Sequence, residues 1–117
     1  MTGIGGFFFR ARDPDALAAW YGAHFGIYPA PGDAAPWRQD AGPTVFAPFR
    51  ADSEYFGDPA RNWMLNLRVD DLDGMIAALR GAGIEVTVDA EDYPNGRFAR
   101  LTDPEGNPLE LWEPAGL

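Results

Sequence analysis

Two stretches of this chain carry the same order of apolar and polar positions. In Phe7–Ile27, FFFRARDPDALAAWYGAHFGI, an apolar run meets a charged turn, and Leu17, Trp20, Tyr21 and Phe25 then recur at helical spacing. In Leu65–Ile84, LNLRVDDLDGMIAALRGAGI, Leu65 and Leu67 alternate with Asn66 and Arg68, after which Leu72, Met75, Ile76 and Leu79 mark a second helix face. Laid over one another, Arg10 falls on Arg68, Asp13 on Asp71, Asp15 on Asp73 and Ala19 on Ala77. After a one-residue slip, Gly26 and Ile27 fall on Gly83 and Ile84. Each copy predicts strand, aspartate turn, amphipathic helix, glycine stop and strand. Asp13 is the expected N-cap of the first helix, with Pro14 in its first position, where a missing N–H costs nothing. The second helix is expected to open near Asp71 and to stop at Gly81 or Gly83.

Further strands are predicted near Ile27–Ala30, Pro36–Gln39 and Thr44–Phe49 in the first copy. In the second they fall near Ile84–Asp89, Gly96–Thr102 and Leu109–Glu113, with Pro and Gly punctuating the gaps. The last two flank Asp103-Pro104-Glu105-Gly106-Asn107, a tight-turn sequence in which Pro presets φ, Gly tolerates φ > 0 and the Asx side chains bond their own backbone. After that turn Leu109 and Leu111 share one strand face, and Glu110 and Trp112 the other. Arg50–Asn62 has no clear period. The chain therefore reads as a single domain over 1–117, with module 1 about 1–50, a connector about 51–61 and module 2 about 62–117.

At 117 residues the chain is long enough to bury roughly two-thirds of its unfolded surface. Its net charge of −9 opposes binding to phosphate backbones, so nucleic acid is not an expected partner. The charge serves solubility, and it also suits attraction of a cationic small molecule. Cysteine is absent, which excludes disulfides and thiolate chemistry. There is no apolar run near the ~20 residues of a membrane span and no signal-like N-terminus, so the expectation is a cytoplasmic protein without membrane contact. Ser53 is the only serine and has no histidine nearby in sequence, and Gly3, Gly5 and Gly6 lack phosphate-loop context.

On the tail LTDPEGNPLELWEP and the tandem repeat, the sequence resembles the vicinal oxygen chelate superfamily, which includes glyoxalase I, bleomycin-resistance and fosfomycin-resistance proteins and extradiol dioxygenases. The resemblance implies an α+β fold: tandem βαβββ modules forming a curled mixed sheet around a cavity, with the helices outside. The metal-ligand positions it implies fall on Gly6, Thr44, Met64 and Glu110. Of these only Glu110 is an ordinary metal ligand, whereas catalytic divalent sites usually take three or more His or carboxylate groups. The sole histidine, His24, lies near a helix C-terminus, where a donor or cation meets the last carbonyls, and it has no matching ligand position. No cofactor is therefore expected, and a divalent metal on Glu110 stays as the alternative.

The same resemblance directs Phe8, Arg10, Asn66, Arg68, Glu110 and Trp112 into the cavity, with Trp37 and Met64 as further candidates for an apolar wall. Ordinary core packing is the competing role for each aromatic. Arg10 or Arg68 either pairs with Glu110, a guanidinium replacing metal charge, or snorkels to the rim. Tyr55, Tyr93 and Arg97 lie in loops that could close the mouth, and the parity of Arg100 is not fixed by its sequence. The expected function is binding of a small organic molecule in a cup between the modules by a glyoxalase/bleomycin-resistance-like protein. It includes either sequestration or metal-independent catalysis. The alternative is a metal-dependent lyase, isomerase or dioxygenase using Glu110; a cup filled by its own side chains, serving interaction, is a third reading. A homodimer is the oligomeric state that the resemblance implies.

Overall fold

The computed structural model describes residues 1–27 and 36–115. The chain forms two compact units, residues 1–38 and 39–117.

The first unit contains helix α1, Pro14–Phe25. The Asp13 carboxylate caps it by accepting from the Ala16 N–H at 3.1 Å, and Pro14 opens it. It ends at Gly26, whose φ of 68° is the left-handed conformation a side chain resists. Leu17 and Tyr21 are buried, while Trp20 meets Tyr21 edge-on at 5.0 Å and lies 5.2 Å from the His24 ring. His24 is thus in the last turn, as expected of a helix-end histidine.

The strands predicted for the first copy are not formed among the described residues. Phe7–Arg10, Pro36–Gln39 and Thr44–Phe49 lie outside any sheet, and most of Ile27–Ala30 falls outside the described residues. An apolar run becomes a strand only when a neighbour takes its ladder bonds. Pro36, Pro43 and Pro48 also remove donors from these segments.

The second unit is a complete βαβββ module: β1 (Leu65–Arg68), α2 (Leu72–Gly81), β2 (Thr87–Val88), β3 (Gly96–Thr102) and β4 (Pro108–Pro114). The sheet is mixed and open, in the order β1-β4-β3-β2, with β1 parallel to β4 and the other pairs antiparallel. The architecture is α+β. Asp71 caps α2 through Gly74 N–H at 3.0 Å, and Glu113 on β4 accepts from Leu72 N–H at 3.0 Å, satisfying another orphan donor of the first turn. The helix stops at Gly81, ahead of the positive φ at Gly83. Its face of Leu72, Ile76 and Leu79 is buried with Ala99, Leu101, Leu109 and Leu111 of β3 and β4, an aliphatic core on the helix side of the sheet. No helix among the described residues is long and apolar enough to cross a membrane.

Two turns fix the register. Asp103 Oδ1 accepts from the Glu105 and Asn107 N–H groups at 2.9 and 3.0 Å, and Oδ2 from the Asn107 side-chain amide at 2.8 Å. The Tyr93–Gly96 turn ends on a glycine with φ 135°, where an added Cβ would stand 2.2 Å from the Glu113 carbonyl oxygen.

Candidate functional site

Strand alternation and register sort the side chains of the second unit between two faces. On β4, Leu109 and Leu111 point to α2, so Glu110 and Trp112 point away. Parallel pairing sets Asn66 beside Glu110 and Arg68 beside Trp112. Antiparallel pairing sets Arg100 beside Glu110 and Phe98 beside Trp112. Asn66, Arg68, Phe98, Arg100, Glu110 and Trp112 therefore share the face opposite the helix.

Glu110 is 9 % exposed, so its carboxylate needs partners. The Asn66 amide donates to Oε1 at 2.7 Å. The Tyr55 hydroxyl, from the connector, donates to Oε2. The Arg100 guanidinium carbon sits 5.0 Å from the centroid of the same Tyr55 ring, a cation–π geometry. Burial raises the Tyr55 phenol well above its ordinary range; the hydrogen bond to Glu110 and that carboxylate's charge add to the rise, and Arg100 opposes it. Alkaline titration checks this directly. Near the ordinary phenol value of 10.0, Tyr55 stays protonated, so Tyr55→Phe is expected to leave the phenolate absorbance rise around that pH unchanged. The sign is that of a raised group: the phenol contributes fully below its unfolded pKa, and its contribution is lost only as pH climbs through the higher folded value.

Beside the carboxylate the face is aromatic. Phe98 and Trp112 lie parallel, with ring centroids 6.2 Å apart and planes 1° from one another, and Trp112 Nε1 donates to the Asn95 carbonyl at 2.9 Å. The connector that carries Tyr55 is held by Arg61, which donates to Asn107 Oδ1 at 3.0 Å and to the Glu105 carbonyl at 2.7 Å. Phe49, just ahead of the connector, stacks on Tyr55 with centroids 5.8 Å apart.

The structure brings together Asn66, Arg68, Glu110 and Trp112 among the residues that sequence placed in the cup. Met64 precedes β1, half-buried, and lines a separate cleft of about 650 Å³ with Phe49, Phe56, Arg61 and Trp63. Phe8, Arg10 and Trp37 lie in the first unit and are exposed. The pairing of Arg68 with Glu110 is not formed. Arg68 donates instead to the Pro43 and Asp40 carbonyls at 2.8 and 2.9 Å, because neutral donors already meet the carboxylate and the 40–43 backbone offers unpaired acceptors. Arg100, whose face its own strand does not fix, is placed by the turn: counting outward from Asp103 and Asn107, Thr102 meets Pro108, Leu101 meets Leu109 and Arg100 meets Glu110. Tyr55 had no comparable signal, since it comes from a segment without period.

Among the described residues no three His, Cys, Asp or Glu side chains gather where a metal ion could be held. Gly6 offers no side-chain donor, Thr44 a neutral hydroxyl and Met64 a thioether, and both oxygens of Glu110 accept hydrogen bonds.

An open βαβββ sheet with a buried carboxylate on its last strand, facing away from the helix, is the arrangement that the resemblance to the vicinal oxygen chelate class implies. Within it, the sequence pattern of the glyoxalase-like domain matches residues 6–112, and the chain belongs to that family. No curated protein matches the chain. Among solved structures it is similar to TnmS3, an antibiotic binding protein from Streptomyces sp. CB03234, at 37 % identity over 49 % of this chain and 45 % of that one, with a TM-score of 0.41. A glyoxalase/bleomycin resistance protein from the same strain shares 39 % identity over 42 % of each chain, with a TM-score of 0.38. The glyoxalase family protein from Enterococcus faecalis shares 30 % identity over 56 % of this chain and 52 % of that one, with a TM-score of 0.42. The chain spans about half the length of these structures or less.

Proposed function

We propose that this glyoxalase-like protein binds a small organic molecule on the sheet face opposite α2, and that it does so without a divalent metal. The observation that carries the reading is the state of Glu110. In metal-binding relatives the resemblance makes this position a ligand; here its oxygens are held by the Asn66 amide and the Tyr55 phenol, and the adjacent side chain on β3 is a cation. A divalent ion would have to displace both donors and sit near the Arg100 charge. The parallel Phe98–Trp112 pair supplies an apolar wall beside polar groups, the composition of a small-molecule site.

Metal analysis of untagged protein tests the reading, with Glu110→Ala as control. The expected result is far less than about one divalent ion per protomer, and no rise in melting temperature on adding zinc, nickel or manganese. About one ion per protomer, lost in Glu110→Ala, would overturn the metal-free site and support lyase, isomerase or dioxygenase chemistry through Glu110.

A further inference from the structure

We propose that the Arg100 guanidinium is the anion-recognising group of this face, that Glu110 positions it through Tyr55, and that the ligand is a small aromatic carboxylate. The inference rests on the reading that this face binds a small molecule. It begins from an unusual pairing: Arg100 and Glu110 are direct cross-strand neighbours, a placement in which opposite charges ordinarily meet. Among the described residues they form no ion pair. The carboxylate takes neutral donors, and the guanidinium lies on the ring of one of them. Charge separation of this kind leaves the cation available.

Its availability stands out among the arginines of the second unit. Arg50, Arg61, Arg68, Arg80 and Arg97 each donate to a carboxylate or carbonyl. Among the described residues the Arg100 guanidinium makes no hydrogen bond, and its side chain is exposed. A guanidinium presents five N–H groups in a planar fork that fits a carboxylate bidentately. Stacking on Tyr55 limits the orientations of that fork, and Tyr55 is itself fixed by its hydroxyl on Glu110. Asn66 fixes the other oxygen of Glu110, so the order of support runs Asn66, Glu110, Tyr55, Arg100.

The apolar part of the ligand follows from the same strand. Phe98 lies two residues from Arg100 on the same face of β3, roughly 7 Å along the strand, and its half-buried ring backs onto Trp112. Trp112 is locked by its bond to Asn95, so the wall does not have to be organised on binding. An anion on Arg100 joined directly to an aromatic ring spans this distance. Asp89, whose N–H donates to the Phe98 carbonyl at 3.0 Å, alternates onto this face and is the group that would favour a cation instead.

Benzoate, benzamide and benzylammonium, titrated calorimetrically into the full chain, separate these cases. The expected result is that benzoate binds in preference to benzamide and that benzylammonium does not bind. Arg100→Gln is expected to weaken benzoate about tenfold while leaving benzamide unchanged. Glu110→Gln keeps an oxygen to accept from Tyr55 and should retain the preference for benzoate; Glu110→Ala and Tyr55→Phe should shrink it about threefold or more, which a general loss of folding would not do selectively. Arg50→Gln, on an exposed pair elsewhere, is the control for net charge. Equal binding of benzoate and benzamide would overturn anion recognition while leaving the small-molecule reading standing. Preference for benzylammonium, lost in Asp89→Asn, would do the same and assign recognition to the carboxylates. If none of these probes bound, both the inference and the reading beneath it would fall.

Discussion

Leu111→Ala is expected to lower the unfolding free energy by about 3–4 kcal/mol. Leu111 is completely buried on β4, the strand flanked on both sides by neighbours in the sheet. Its register partners are Leu67 on β1 and Ala99 on β3. Ala99 is fully buried and carries only a methyl group, so it cannot extend into the space that Leu111 vacates. Leu72 and Leu79 approach from α2, anchored to a helix whose first turn is already bonded to Glu113 of the same strand. Little of the cavity can therefore collapse, and cavities that persist are the costly ones. Urea unfolding checks the expectation: the midpoint should fall with little change in slope. Val88→Ala, on the short edge strand and exposed, should fall within about 0.5 kcal/mol of the unsubstituted protein.

The second copy of the repeat was legible because local and tertiary signals agree there. Asp71 caps its helix, the glycines near residue 83 end it, and the alternation of Leu109 to Trp112 divides buried from polar sides. Sheet neighbours and helix face reinforce one pattern, so sequence and structure coincide to within a residue or two for β3, β4 and α2. The first copy carries the same helix signals, and α1 forms between the expected cap and stop. Its apolar runs were ambiguous for a physical reason. Phe7–Phe9 and Thr44–Phe49 have strand-like composition, but a strand is a property of a pair, and composition does not name the partner.

Legibility of the candidate site divides the same way. Period-2 alternation puts Asn66 with Arg68 and Glu110 with Trp112, and the resemblance put the two pairs on one face, where the register sets them. Neither was enough to say what each group would bond. Arg68 and Arg100 are both cations on that face, yet one holds backbone carbonyls and the other lies on an aromatic ring. The choice depends on Tyr55, whose position is set by Arg61 holding the connector to the 105–107 turn. Contacts between an aperiodic segment and a hairpin leave no spacing in the sequence to read.

That hairpin turn makes Asp103→Ala the second large effect. The substitution is expected to cost about 2–4 kcal/mol, because one carboxylate satisfies the N–H groups of Glu105 and Asn107 and the Asn107 amide. Asp103 and Asn107 are each 4 % exposed, so water does not readily replace the lost acceptors. Asp103→Asn keeps one oxygen but turns the other acceptor into a donor facing Asn107, and it should fall between alanine and the unsubstituted chain. The consequence reaches the site through register. The turn holds Thr102 opposite Pro108 and hence Arg100 opposite Glu110, and Asn107 also receives the Arg61 bond that seats the connector. Asp103→Ala should therefore weaken both supports of the Tyr55–Glu110 contact. Hydrogen exchange provides the specific readout: protection should fall first at Asn107, then at the β3–β4 positions nearest the turn, while the amides of α2 retain theirs. Uniform loss of protection along α2 and both strands would mean that the turn contributes only to global stability; a loss graded outward from Asn107 would show that it also sets the register on which Arg100 and Glu110 meet.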